Sequence, residues 1–274
     1  MNNCKINIRK FIIIFLILLI SIEPVIAQDI DSTRIIRVLT YNIFHGETMN
    51  HDFNLNIIAN VIKSLNPDIV ALQEVDYKTK RVSGKDLVTE LGYLTGMLAI
   101  FGKAMDYSDG EYGEGILSRY SFKKTKDNPL PHSPENEPRA ALEVLIELPS
   151  GDEIIFIGTH LDHTEDQTDR ISQVRKINEI FKENKIPTIL AGDLNAIPGS
   201  KSIEILKEHW IDACSEDPKP TWPSSNPAEK LDYVMFLPPE RFHVIETKVI
   251  DEKIASDHCP LLVILELLPE KKDY

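Results

Sequence analysis

The sequence predicts an α/β protein in which two sheets pack face to face and helices cover the outside. Three observations lead there. Apolar runs of strand length recur from Ile35 to Leu267 and outnumber the helical stretches. Those runs are continuous rather than alternating, as strands buried on both faces are. Finally, no repeat, low-complexity tract or Gly/Ser linker divides the 274 residues, so one domain is expected.

Ile35 to Tyr41 reads as the first strand. Leu55, Ile58, Val61, Ile62 and Leu65 recur at helical spacing, and Asn66-Pro67 stops that helix. Asp68 to Leu72 is a second strand that delivers Gln73 and Glu74 at its end. Asp86 to Leu91 is helical, ending at Gly92. Strands are expected near Met97 to Phe101, Gly115 to Ser118 and Ala140 to Leu148, with a loop carrying Pro129, Pro131, Pro134 and Pro138 between the last two. Glu153 to Thr159 is a strand, followed by a helix around Asp166 to Glu183 with Ile171, Val174, Ile177 and Ile180-Phe181 as its apolar stripe. Strands at Thr188 to Ala191, Tyr233 to Leu237, Phe242 to Ile250 and Leu261 to Leu267 complete the pattern.

The first 27 residues read as an export signal. Lys5, Arg9 and Lys10 precede the apolar stretch Phe11 to Ile22, which is shorter than the roughly 20 residues a spanning helix needs. Val25-Ile26-Ala27 resembles a cleavage site, so the domain is expected over residues 28–274, periplasmic or extracellular, with no membrane anchor after cleavage. The whole chain carries −13, and the leader holds three bases against Glu23, which leaves the rest near −15. Such a balance disfavours sequence-independent binding of nucleic acid, which relies on basic surfaces. Cys214 and Cys259 could pair, although a domain of this size does not need a bridge. A monomer is expected.

The chemistry sits in short polar motifs at the ends of apolar runs. They are Thr40-Tyr41-Asn42, Gln73-Glu74, Gly158-Thr159-His160, Gly192-Asp193-Leu194-Asn195, Leu231-Asp232-Tyr233 and Ser256-Asp257-His258. Oxygen ligands hold a hard divalent cation, imidazoles serve a phosphate oxyanion, and a carboxylate orients water. Any one motif could be turn chemistry. Six in this order resemble the endonuclease/exonuclease/phosphatase superfamily, the fold of DNase I-like nucleases, inositol polyphosphate 5-phosphatases and neutral sphingomyelinases. Gly192-Asp193-Leu194-Asn195 and Ser256-Asp257-His258 are the most specific elements, and the resemblance runs from Val38 to Leu262.

The resemblance implies a four-layer α/β/β/α sandwich of two packed mixed sheets, with the site at one end and Mg²⁺ as cofactor, Mn²⁺ being a possible substitute. Glu74 matches the principal metal-binding carboxylate, and Asn42 and Asp257 match further ligands. Asp193 matches the carboxylate that orients or deprotonates water, and Asn195 the amide that contacts phosphate. His160 and His258 match the two phosphate-binding imidazoles. Asp232 resembles the acid that bonds His258 and keeps it cationic. Glu137, in Glu137-Pro138, resembles the element that orients the other histidine, His160. Arg139 follows it and could reach a phosphate or Glu137 itself.

One departure bears on substrate. Tyr112-Gly113-Glu114-Gly115 carries Glu114 where relatives often have an amide, and a carboxylate there would repel phosphate. His45 and His163 could enter the site or be merely solvated. Trp222 could stack on a substrate ring, but buried aromatics are commoner than exposed platforms. Arg170 and Gln173, one turn apart, are expected to pin the loop after His160. The expected activity is hydrolysis of a small or lipid-linked phosphate ester. A DNase-like nuclease is the first alternative, and a non-catalytic module on the same fold the second.

Overall fold

The structure is a computed structural model and describes residues 31–270. The export signal expected over residues 1–27 lies outside the described residues. Strands β1 (Ile35–Asn42) and β2 (Ile69–Tyr77) flank helix α1 (Leu55–Leu65), and α2 (Leu87–Thr95) leads into the hairpin β3 (Leu98–Tyr107) and β4 (Gly110–Ser118). Next come β5 (Phe122–Leu130), β6 (Arg139–Glu147) and β7 (Glu153–His160). After them lie α3 (Thr168–Phe181), β8 (Thr188–Asp193), α4 (Lys201–Leu206), β9 (Ile211–Asp212), β10 (Asp232–Leu237), β11 (Phe242–Val249) and β12 (Leu261–Leu267).

These strands form two six-stranded mixed sheets, ordered β11-β12-β1-β2-β4-β3 and β5-β6-β7-β8-β10-β9. Each sheet has a parallel pair at its centre, β1 with β2 and β7 with β8, flanked by antiparallel neighbours. A parallel pair needs a crossover, and α1 and α3 supply it. α1 begins at Asn54, whose side chain accepts from the Ile57 amide, and ends on Asn66 in the left-handed conformation.

Side-chain alternation builds three cores. Ile36, Val38, Ile69, Ala71, Ile154, Phe156, Ile189 and Ala191 point between the sheets. The intervening Leu39, Tyr41, Val70 and Leu72 pack under α1 and α2 with Ile58, Ile62 and Leu91. Ile155, Ile157 and Leu190 pack under α3 and α4 with Val174, Ile177 and Trp210. The layers are therefore α/β/β/α. Burial on both faces explains the continuous apolar runs, each such side chain contributing roughly 1.5–3 kcal/mol.

The structure differs from the sequence reading in several elements, and β2 and α2 run past their expected ends at Leu72 and Gly92 to Tyr77 and Thr95. β5 replaces part of the expected Pro-rich loop. It is an edge strand paired only with β6, and its sequence Phe-Lys-Lys-Thr-Lys-Asp-Asn-Pro-Leu is mostly exposed. Charges and Pro129 suit an edge and hide the strand pattern. β3 and β4 run past their expected ends and meet at Ser108-Asp109, both with positive φ, as a tight hairpin requires. The short α4 and β9 had no periodicity to reveal them. Cys214 and Cys259 are buried free thiols. No helix among the described residues is long and apolar enough to cross a membrane.

Candidate active site

The carboxyl ends of the two parallel pairs open on one cleft of ≈ 590 Å³. Glu74, His160, Asp193, Asn195, Asp257 and His258 line it, together with Glu137 and Arg139. Strand pairing sets the centre: His160 on β7 and Asp232 on β10 are each register partners of Asp193 on β8. Gly192 makes the close approach possible, because a Cβ there would lie 1.9 Å from the Thr159 carbonyl oxygen.

Glu74 reaches the cleft through a backbone irregularity. The β2–β4 register shifts between Leu72 and Val75, and Glu74 has φ +58°. A bulge of this kind re-aims a side chain, and a left-handed non-glycine residue costs about 1–3 kcal/mol. Asn42 Nδ2 lies 3.2 Å from Glu74 Oε1 and 3.2 Å from Asp193 Oδ2, so one amide ties the two sheets' carboxylates together. His45 Nδ1 is 3.4 Å from Glu74 Oε2. Burial opposes charge on Glu74, but hydrogen bonds from His45 and Asn42 hold its pKa below the ordinary carboxylate range.

The two histidines have opposite surroundings. His258 Nδ1 is 2.9 Å from Asp232 Oδ2, and its Nε2 is 3.6 Å from Asp193 Oδ2. Burial disfavours its charge, yet Asp232 and then Asp193 prevail and push it up to about 10. His258 is therefore an imidazolium at neutral pH. His160 Nε2 is also 3.6 Å from Asp193 Oδ2. Its proton affinity falls well below the ordinary value, first through burial and then through the adjacent Arg139 cation. A neutral His160 leaves hydrogen bonding as the main support of the Glu74 charge. Asp193 is buried between these groups, and burial raises its pKa, with Asp232 adding to the effect and His258 opposing it. A carboxylate raised in this way is suited to accept a proton from water.

Glu137 does not orient His160, contrary to the sequence expectation. Its Oε2 is 2.8 Å from Arg139 Nη2, and Arg139 Nη1 lies 3.2 Å from His160 Nδ1. Glu137 precedes β6, while Arg139 is the strand's first residue, 2% exposed, and fills the space beside the imidazole. Asn195 lines the cleft with φ +47°, a conformation Asn tolerates, and its Nδ2 donates to the Leu161 carbonyl. The Arg170 guanidinium donates to the Asp162 carbonyl at 2.5 Å, and Gln173 Oε1 accepts from the Asp162 amide at 2.9 Å. Those two bonds pin the loop after His160.

Glu114 corrects a second expectation. It is fully buried, both carboxylate oxygens lack hydrogen-bond partners, and burial raises its pKa well above the usual range despite Arg139 nearby. Burial thus disfavours the charge through which Glu114 would repel phosphate. Trp222 lines the cleft and donates its indole N–H to Asp257 Oδ2 at 3.3 Å. Arg81, Tyr107 and Tyr112 also line the cleft and were not foreseen. Arg81 is held by the buried Asp76 carboxylate and lies over both tyrosine rings, 4.7 and 5.6 Å from their centroids. Their one sequence signal was position, since the β3–β4 hairpin carries both tyrosines.

One cluster and one pair of carboxylates offer ligand atoms to a divalent cation. Asp193, Asp232 and His258 bring potential ligand atoms within 4.8 Å of one another. Protonated His258 has no free lone pair and is already bonded to Asp232, so this trio is a proton-holding array. Glu74 and Asp257 are a better match. Both line the cleft, and Glu74 is among the charges that raise the Asp257 pKa, behind burial. Hard oxygen donors of like charge facing one space are what Mg²⁺ requires.

Comparison with known proteins identifies the family and the fold. The model of the endonuclease/exonuclease/phosphatase family matches residues 39–258, and the chain belongs to that family. A solved endonuclease/exonuclease/phosphatase from Beutenbergia cavernae is 24% identical, with a TM-score of 0.73 over 85% of this chain and 72% of that one. A mannosyl-6-phosphatase from Bacteroides thetaiotaomicron is 19% identical, with a TM-score of 0.68 over 84% of this chain and 99% of that one. A humanized D. rerio TDP2 is 19% identical, with a TM-score of 0.65 over 85% and 99% of the two chains. Protein cwh43 of Schizosaccharomyces pombe is 25% identical over 151 residues, 55% of this chain but 15% of that protein's length. Members of the family are hydrolases of phosphate esters, typically dependent on a divalent metal.

Proposed function

We propose that the protein is an exported, divalent-metal-dependent phosphoesterase that hydrolyses a small or lipid-linked phosphate ester by in-line attack of water. The observation that carries this reading is the arrangement at Asp193, with His160 Nε2 and His258 Nε2 each 3.6 Å from Oδ2 and Glu74 reached through Asn42. A phosphate held by two imidazoles beside one raised-pKa carboxylate has its nucleophile and its anion cradle in the same cleft. Asp193 orients water and takes its proton. His258, as an imidazolium kept by Asp232, donates to a phosphate oxygen and stabilises developing negative charge. Asn195 adds an amide donor. Glu74 would hold Mg²⁺ or Mn²⁺ with Asp257; Asn42, expected as a further ligand, turns Nδ2 to Glu74 and Asp193 and would orient Glu74 instead. When bound, the cation would neutralise charge on the phosphate and the leaving oxygen.

Substrate class follows from charge. A chain near −15 would repel a polyanion at long range, whereas a compact ester engaged by metal and histidines avoids that cost. A mannosyl-6-phosphatase among the structural neighbours supports a sugar phosphate as one candidate. Export is inferred from Lys5, Arg9, Lys10 and the apolar residues after them. The test is purified protein with Mg²⁺ or Mn²⁺ against mannose 6-phosphate, inositol phosphates, sphingomyelin, bis-p-nitrophenyl phosphate and duplex DNA. Turnover of a compact ester that EDTA abolishes supports the reading. Duplex DNA as the best substrate, with a steep fall in rate as salt rises, would replace it with a nuclease.

A further inference from the structure

The histidine pair is asymmetric in a way the residue types alone do not reveal. His258 leans on a carboxylate through Nδ1, whereas His160 leans on a guanidinium through the same atom. An arginine side chain has five N–H donors and no acceptor, and it does not deprotonate in proteins. A bond between Arg139 Nη1 and His160 Nδ1 at 3.2 Å therefore has one polarity: Nη1 donates and Nδ1 accepts. An imidazole whose Nδ1 offers its lone pair carries its proton on Nε2. That Nε2 is the atom facing Asp193 and the cleft.

We propose that Arg139 is a positioning residue that locks His160 in the Nε2–H tautomer, so that this ring presents a hydrogen-bond donor to the cleft. The idea rests on reading the cleft as a phosphoesterase site. It assigns His160 one task, a directed N–H, and a ring held in that form adds no positive charge that would lower the proton affinity of neighbouring Asp193.

The surroundings of Arg139 are built for this task. Nη2 is satisfied by Glu137 Oε2 at 2.8 Å and by His163 Nδ1 at 3.2 Å, which fixes the plane of the guanidinium. Tyr112 and Glu114 approach from β4 and, with Glu137, hold the guanidinium in its charged form against burial. The groups acting on His160 are Arg139, His163 and His258, which disfavour its charge, and Glu74, which favours it, with Asp193 at its Nε2. No carboxylate among the described residues is bonded to Nδ1, so nothing reverses the polarity set by Arg139.

The test reads the ring directly and needs no substrate. Long-range ¹H–¹⁵N correlation on metal-free ¹⁵N-labelled protein, with His160→Gln for assignment, should show protonated Nε2 and bare Nδ1 from pH 6 to 8. In Arg139→Met the tautomers should mix and the ring should begin to protonate within that range. With bis-p-nitrophenyl phosphate, kcat should fall roughly 10²–10⁴-fold, the scale of losing a tautomer-fixing partner, while KM changes much less. Arg139→Lys keeps a charge and a donor, and should recover at least about tenfold of that loss. A wild-type His160 that carries Nδ1–H, or that is charged at pH 7, overturns the proposal even if Arg139→Met fails to fold. So does an Arg139→Met protein with unchanged tautomer and kcat. Absence of phosphoesterase activity would sink the functional reading alone, since the spectrum reports the tautomer regardless.

Discussion

Replacing Asp232 by Asn should uncouple His258 from its charge while leaving its shape in place. The ring goes from an ordinary 6.5 to about 10 in the folded protein. At 1.36 kcal/mol per pH unit, that is on the order of 5 kcal/mol of preference for the imidazolium. Burial opposes the charge, and of the three carboxylates that favour it Asp232 contributes most, followed by Asp193 and Asp257. Losing the charge at 2.9 Å should lower the His258 pKa by roughly 1–3 pH units. The sign for stability follows. A histidine raised on folding contributes fully below about 6.5 and loses that contribution as pH rises toward 10. Wild-type protein should therefore lose stability across that window, and the variant should lose less of it, because it has less to lose. NMR titration of His258 and urea unfolding at pH 6 and 10, both in EDTA, measure the two quantities. A His258 pKa still above 9 in the variant, with the same pH dependence of unfolding, would refute the pairing as the source of the charge.

Four further outcomes follow from the same geometry. Glu74→Gln keeps the hydrogen-bond shape but removes the charge a hard cation needs, so kcat/KM should drop about 100-fold or more and extra Mg²⁺ should rescue little. Asp193→Asn should abolish turnover while substrate still binds, seen as product loss without loss of equilibrium binding; a variant with near-parental kcat would remove Asp193 from the chemical step. Glu114 is raised on folding, so stability should decline as pH rises above about 4.5, where the unfolded acid ionises and the folded one does not. Glu114→Gln should flatten that decline between pH 5 and 8 in urea unfolding. Phe156→Ala, between the sheets, should cost about 3–5 kcal/mol by the same assay.

The double-faced strands were legible because Ile154 to Ile157 and Thr188 to Ala191 are buried on both sides and need apolar residues throughout. Their polar ends were legible for the complementary reason, since Gly158-Thr159-His160 and Gly192-Asp193 break the run where the strand leaves the core. β5 was not, because an edge strand facing water is written in lysines. The Glu137 assignment failed on a matter of two residues. Both Glu137 and Arg139 are polar and adjacent to a strand start, and only the tertiary packing decides which one meets His160. Glu114 could have been placed. It shares strand parity with Ile116, which points between the sheets, so alternation puts it inside.

The site is assembled across the interface of the two sheets. Asn42 and Glu74 end the central parallel pair of one sheet, and His160 and Asp193 end that of the other. Asn42 joins them with one amide, and Ser256 Oγ donates to the Asn42 carbonyl at 2.6 Å while accepting from the His258 amide at 3.2 Å. The loop that carries Asp257 and His258 is thereby hung on β1, although His258 pairs with Asp232 from the second sheet. Distances among Glu74, Asp193 and the two imidazoles are therefore set by how the sheets pack as well as by either sheet alone. The cores far from the cleft hold this spacing, and a change of a few tenths of an ångström between the sheets would reach every hydrogen bond at Asp193 at once.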